Sequence, residues 1–317
     1  MTYTGLHAQK SHNNTMSVLL LCLFPVLVLV LLWLGCYLLY GFGTGSWHIV
    51  NATTNTAALY IEAAPWVLGG VLVWFLIAYF ANTAIIQRAT NSQPLERKDN
   101  KRVYNLVENL CMSQGMSMPK VNVIRDNSLN AFASGINKHT YTVTLTTGII
   151  DRLADEELEA VIAHELSHIR NHDVRLLIVS IVFVGVFAML AQIALRALWY
   201  APSRRSSKDG KGALLMILIV LLISAIGYFF ATLMRFAISR KREYLADAGA
   251  AEMTKNPLAL ATALRKISGD HSVEISRDDV AQLFIEHPAA KEKRSFISTL
   301  FATHPPISKR IQILEQF

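Results

Sequence analysis

Four apolar segments constrain this chain more than any other feature of its sequence. Val18 to Tyr40, "VLLLCLFPVLVLVLLWLGCYLLY", carries no charge, nor do Ala63 to Ile86 and Leu214 to Met234. Leu176 to Leu198 is interrupted only by Gln192 and Arg196. About 20 apolar residues in a helix cross the roughly 30 Å hydrocarbon layer of a bilayer, so each segment is a candidate span. Pro25, inside the first, is tolerated in a membrane helix. A cleaved signal peptide is the competing reading of the first segment. Its apolar core is too long for that, and no small-residue cleavage pattern closes it. For the third segment, with its polar residues, the competing reading is a buried helical hairpin.

Composition agrees with a membrane protein. Of the 317 residues, 52% are hydrophobic and 17% charged, against about 25% charged in an ordinary soluble domain. The net charge of +7 reads as cytoplasmic anchoring beside spans and not as a nucleic-acid footprint. Cys22, Cys36 and Cys111 show no CxxC spacing, which indicates neither a disulfide framework nor a sulfur-ligated metal. Gly41 to Glu62 contains no Lys or Arg, whereas Arg88, Arg97, Lys98, Lys101 and Arg102 follow the second segment. The positive-inside rule places the bare loop outside and the basic region in the cytoplasm. "SRRSSKDGK", Ser203 to Lys211, argues against export of the next loop, a conflict that vanishes if segments three and four do not fully cross.

The expected fold is mainly α with a small β-sheet, its membrane-embedded helices joined to a domain outside the membrane. Residues 1–16 form an N-terminal cytoplasmic segment, and 17–87 hold two transmembrane helices with an external loop. Residues 88–175 make the first half of the domain outside the membrane, 176–234 the third and fourth hydrophobic segments, and 235–317 the second half. Arg88 to Asn100 reads as a polar linker. Val103, Leu106, Val107 and Leu110 are spaced as on a helix that stops near Gly115 and Pro119. "KVNVIRD" and "HTYTVTLTTG" read as strands, with "NAFASG", Asn130 to Gly135, between them as a further strand or hairpin edge. Asp155 looks like the N-cap of the next helix, with Glu156 and Glu157 in its first turn. Leu158, Val161, Ile162, Leu166 and Ile169 supply that helix's apolar stripe.

That helix contains "AVIAHELSHIRNHD", Ala160 to Asp173. His164 and His168, four apart, project from one face and can reach one ion. Glu165 is then placed to take a proton from water as a general base. A hydrolytic zinc site needs one more protein ligand and one open position. "SRKREYLADAGAA", Ser239 to Ala251, offers Glu243 as that ligand and Asp247 to orient a ligand histidine. The bland alternative pairs Glu243 with Arg240 or Arg242 on a solvated face. His172 would lie too far around a straight helix to join the same ion, and His287 reads as structural.

"HELSHIRNHD", two hydrophobic segments, "SRKREYLADAGAA" and a closing "HPPISKRI" resemble the HtpX-like membrane metalloproteases over nearly the whole chain. These are heat-shock quality-control peptidases of the bacterial inner membrane, distantly related to the prenyl-protein CAAX endopeptidases. The resemblance implies a zincin-type metallopeptidase domain, its halves at residues 88–175 and 235–317, with one Zn2+ per chain on His164, His168 and Glu243 and Glu165 as catalytic base. It further implies that Asn130 contacts substrate, and that His304 and Arg310 hold substrate or stabilise the oxyanion. The implied substrates are misfolded or unfolded membrane proteins, cut at the cytoplasmic face. Taken alone, "HPP" equally suits the start of a terminal helix, and Asn130 an ordinary turn residue. The competing functions are a CAAX-type prenyl-protein peptidase, for which four spans are few, and a non-catalytic metal-binding scaffold or transporter. The latter calls for charged residues along the spans and leaves the two motifs unexplained.

Overall fold

The structure is a computed structural model; it describes residues 6–44, 49–199, 208–237, 241–269 and 306–317. These form ten helices and four strands among the described residues: α1 (Leu6–Thr44), α2 (Ile49–Thr90), β1 (Gln93–Pro94), α3 (Lys101–Ser113), β2 (Lys120–Ile124), β3 (Ala131–Ser134), β4 (Thr142–Thr146), α4 (Thr147–Arg152), α5 (Asp155–Arg170), α6 (Asp173–Trp199), α7 (Lys208–Ala237), α8 (Lys241–Thr254), α9 (Pro257–Ser268) and α10 (Ile307–Leu314). The mainly helical chain with a small mixed sheet is as expected from the sequence.

The chain divides into two compact units. One consists of Ser17–Phe80 and Val179–Arg235. It draws on α1, α2, α6 and α7, the four helices long and apolar enough to cross a membrane. Phe24 of α1 stacks on Phe183 of α6 with ring centroids 4.0 Å apart. Gly227 of α7 lies so close to Phe187 of α6 that a Cβ there would sit 2.2 Å from the ring. Small residues at such crossings are how membrane helices approach each other without a hydrophobic driving force. Trp66, Phe80, Trp199 and Phe229 are exposed, as suits side chains that lipid covers.

The other unit takes in Ala81–Ile178 and Phe236–Phe317. Its sheet runs in the order β1-β2-β4-β3. β2 and β4 are parallel, while β3 runs antiparallel to β4 with Ala133 opposite Val143. The turn out of β3 begins at Gly135, whose φ of +103 and close approach to the Thr140 carbonyl admit only glycine. The alternating threonines of β4 suggest one wet face, yet all five of its residues are buried. Local bonds compensate the hydroxyls: Thr146 Oγ1 donates to the Ser128 carbonyl at 2.6 Å.

α5 is the unit's central helix, packed by α3, α8, α9 and β3. Its stripe of Leu158, Val161, Ile162 and Leu166 is fully buried. So is the face carrying Ala160, Ala163 and Ser167, because α8 lies against it. "ADAGAA" in α8 explains that second contact. A Cβ on Gly249 would meet Ser167 Oγ at 2.6 Å, so only a residue without one lets the helices come this close.

Two local expectations are corrected. The N-cap of α5 is Ala154, not Asp155. Ala154 has no side-chain acceptor, and its N–H is held by the Glu157 carboxylate at 2.9 Å, which also takes Lys266 at 2.6 Å. Asp155, one residue inside the helix, is free to pair with Arg102. The linker from Arg88 to Asn100 is also more ordered than its composition implies. α2 continues to Thr90, and Gln93–Pro94 adds a two-residue edge strand on β2.

Candidate metal centre

α5 brings His164, Glu165 and His168 to the interior, and α8 brings Glu243 and Asp247 to meet them. His164 Nε2 and His168 Nε2 are 3.2 Å apart. Glu243 Oε2 is 3.7 Å from the first, and Glu243 Oε1 is 3.6 Å from the second. An ion held tetrahedrally at the usual 2.0–2.2 Å requires donor atoms about 3.3–3.6 Å apart. The three donors therefore fit one divalent ion. Glu243 is 8% exposed, and its neighbour Arg242 donates to the Asp173 carbonyl, so the solvated-pair alternative does not describe it.

The second ring nitrogens explain why the first point at each other. His164 Nδ1 is 3.0 Å from Asp247 Oδ1, and His168 Nδ1 is 3.0 Å from Asp173 Oδ2. With its N–H turned to Asp173, His168 presents the Nε2 lone pair towards Glu243, while His164 Nδ1 faces Asp247 at ion-pair distance. Burial alone would lower the pKa of His164, but Asp247 and Glu243 outweigh it and push it up to about 9.

Glu165 lies deep beside this cluster. Burial pushes its carboxyl up, while the imidazoles of His164 and His168 and the Ala133 N–H of β3 oppose that rise. A raised carboxyl is suited to taking and returning a proton near neutral pH.

Arg310 is the most buried charge among the unit's described residues, at 0% exposure. It reaches from α10 to clasp Asp247 with two hydrogen bonds, Nε to Oδ2 at 2.8 Å and Nη2 to Oδ1 at 2.7 Å. Nη1 is 3.3 Å from Glu243 Oε2. Burial would raise the carboxyl of Asp247, but Arg310 and His164 together hold it below the usual carboxylate range.

Residues 97–317 match the model of peptidase family M48. The chain belongs to this family. An HtpX protease homologue of Bacteroides fragilis is 64% identical over 322 residues, covering 100% of both chains. Another, of Lactobacillus helveticus, is 33% identical over 98% of this chain and 99% of its own. The crystal structure of S. mikatae Ste24p aligns with a TM-score of 0.43 at 21% identity, over 81% of this chain and 57% of that one. This M48 peptidase is thus an HtpX-type membrane metalloendopeptidase, a multi-pass protein whose family implies a metal.

The structure treats the remaining candidates in this M48 chain differently. Asn130 is buried at the start of the edge strand β3, where its Oδ1 accepts from the Ala131 N–H at 3.0 Å. It directly precedes the strand whose Ala133 meets Glu165. Arg310, implied by resemblance to hold substrate or stabilise the oxyanion, is buried and engaged by two carboxylates. His304 and His287 lie outside the described residues. His172 takes φ +61 in the turn after α5 and does not join the donors. Asp173 was missed by spacing. The only signal for it in the sequence is an acid five residues past a ligand-type histidine, just beyond the helix end.

Proposed function

We propose that this chain is a zinc-dependent endopeptidase holding one Zn2+ per chain on His164, His168 and Glu243, with Glu165 as general base. Its proposed substrates are misfolded or unfolded membrane proteins, cut at the cytoplasmic face of a bacterial inner membrane. The observation that carries this reading is the convergence of two imidazole lone pairs and a carboxylate at 3.2–3.7 Å, beside a buried glutamate.

When bound, the ion would supply Lewis-acid polarisation of the scissile carbonyl and acidify water. Glu165 accepts one proton from the attacking water as its oxygen bonds to the carbonyl carbon. It returns that proton to the amine nitrogen as the C–N bond breaks. Asp247 holds His164, and Arg310 holds Asp247, so the buried carboxylates keep their places. β3 is an edge strand pairing with β4 alone among the described residues, and its Ala133 N–H lies against Glu165. An extended substrate added to that edge is held by main-chain bonds, which read little sequence and suit unfolded chains. Asn130, at the head of the strand, is assigned to the same substrate backbone. His304 is assigned to the developing oxyanion by resemblance alone. Orientation rests on the Lys- and Arg-free loop between the first two spans and the basic region after the second.

Purified full-length protein in detergent is expected to cleave casein, to lose that activity to a chelator and to regain it with Zn2+. Cleavage that persists in excess chelator would remove the metal from the reaction.

The raised pKa of His164 gives a pH dependence. Below about 9 a divalent ion must displace the proton that His164 holds. Zinc affinity of the metal-free protein is therefore expected to rise about tenfold per pH unit from 7 towards 9 and then to level off. Calorimetric titration in buffers of different ionisation enthalpy reads the released proton directly. An affinity flat across that range would contradict a protonated His164.

A further inference from the structure

We infer that Asp173 is a positioning residue of the metal centre: its carboxylate fixes the ring of His168, and with it the direction in which that histidine offers Nε2. This rests on the His164, His168 and Glu243 reading above.

In a continuous α-helix, residues five apart are turned by about 140° from each other and cannot meet. The chain solves this with one backbone conformation. α5 ends at Arg170, Asn171 is buried, and His172 takes the left-handed φ of +61. α6 then starts at once, and Asp173 folds back over the last turn of α5 with Oδ2 3.0 Å from His168 Nδ1. A left-handed conformation is disfavoured in a residue with a Cβ, so a glycine would be easier at 172.

Asp173 is held from a second side. Its backbone carbonyl accepts from Arg242 Nη1 at 3.0 Å, and Arg242 immediately precedes Glu243 in the first turn of α8. One residue thus links the ring of one donor to the helix turn that carries another. At 2% exposure, its carboxylate meets His168 without competition from bulk water. That bond fixes the proton on Nδ1, leaves the Nε2 lone pair for an ion and makes the nitrogen a better donor. The centre then has one carboxylate for each histidine: Asp247 for His164 and Asp173 for His168. The two differ in setting. Asp247 shares both oxygens with Arg310, and its contact with His164 comes from the facing helix α8. Asp173 comes from the first turn of α6, directly after the turn that ends α5.

The ordinary role for an acid in the first turn of a helix is to complement the helix dipole, and the test must separate the two. Asp173→Asn keeps an oxygen that can accept from Nδ1. Asp173→Ser suits a helix start but is too short to reach the ring. Full-length protein in detergent is loaded with Zn2+, moved into excess chelator, and its zinc release timed. The melting temperature of each metal-free variant is recorded beside it. Asp173→Ser is expected to release zinc about 10- to 100-fold faster than wild type, Asp173→Asn at an intermediate rate, and His168→Ala to retain none. Release from Asp173→Ser at the wild-type rate, with His168→Ala empty, reduces Asp173 to a helix-start residue and overturns the inference. A change in melting temperature alone, without that order of rates, does the same. A wild type that takes up no zinc, or His168→Ala that keeps it, brings down the underlying metal reading instead.

Discussion

Glu165→Gln protein is expected to bind metal as the wild type does and to hydrolyse no detectable casein. Gln has the same length and shape and can still accept the Ala133 N–H, so the wall of the site and the strand edge beside it stay in place. What the amide lacks is the ability to take a proton from water and return it to the leaving amine. A positioned base is worth about 10²- to 10⁴-fold, and in the proposed mechanism the same group also acts as the acid, so the upper part of that range applies. Burial raises the Glu165 carboxyl, which makes it a better base than an exposed glutamate and increases the loss on removing it. Metal content measured on the same samples separates the chemistry from the site's assembly. Equal cleavage by the two proteins would take Glu165 out of the reaction.

Arg310→Met should have the largest effect on stability. The guanidinium lies at 0% exposure between Asp247 and Glu243. Removing it leaves two buried carboxylates with only the imidazoles of His164 and His168 to balance them. Breaking a buried ion pair from one side costs about 3–5 kcal/mol. Arg310→Lys is expected to rescue little, because an ammonium cannot make the two parallel bonds of the guanidinium fork to Asp247. Zinc should restore part of the loss, since a cation then returns beside Glu243. Thermal unfolding in detergent, with and without zinc, is the measurement. An unchanged midpoint in metal-free Arg310→Met would show that α10 does not lock the centre.

Arg310 also marks where a single sequence stops being readable. Its partner Asp247 is 63 residues away, and an arginine in a short amphipathic helix looks solvated until α9 and α8 are seen to close over it. Glu243 was legible because a zinc site needs a third ligand and "REYLAD" offered carboxylates at helical spacing. His164 and His168 were legible because their spacing puts them on one helix face, and the membrane helices because a bilayer fixes their length. Asp173 was not, since its contact depends on one left-handed residue, and nothing in "NHD" announces that His172 will adopt it. The cap at Ala154 was hidden for a similar reason: an alanine has no capping oxygen, and the work passes to Glu157. β1, at two residues, is too short for any periodicity to show.

The claim that three side chains hold one ion is tested most directly by counting metal. Wild type, Glu165→Gln, His164→Ala, His168→Ala and Glu243→Ala are purified in detergent under identical conditions, and zinc per chain is measured by elemental analysis. One zinc per chain is expected in the first two and little or none in the other three. A wild type without metal, or Glu243→Ala with full occupancy, would contradict it.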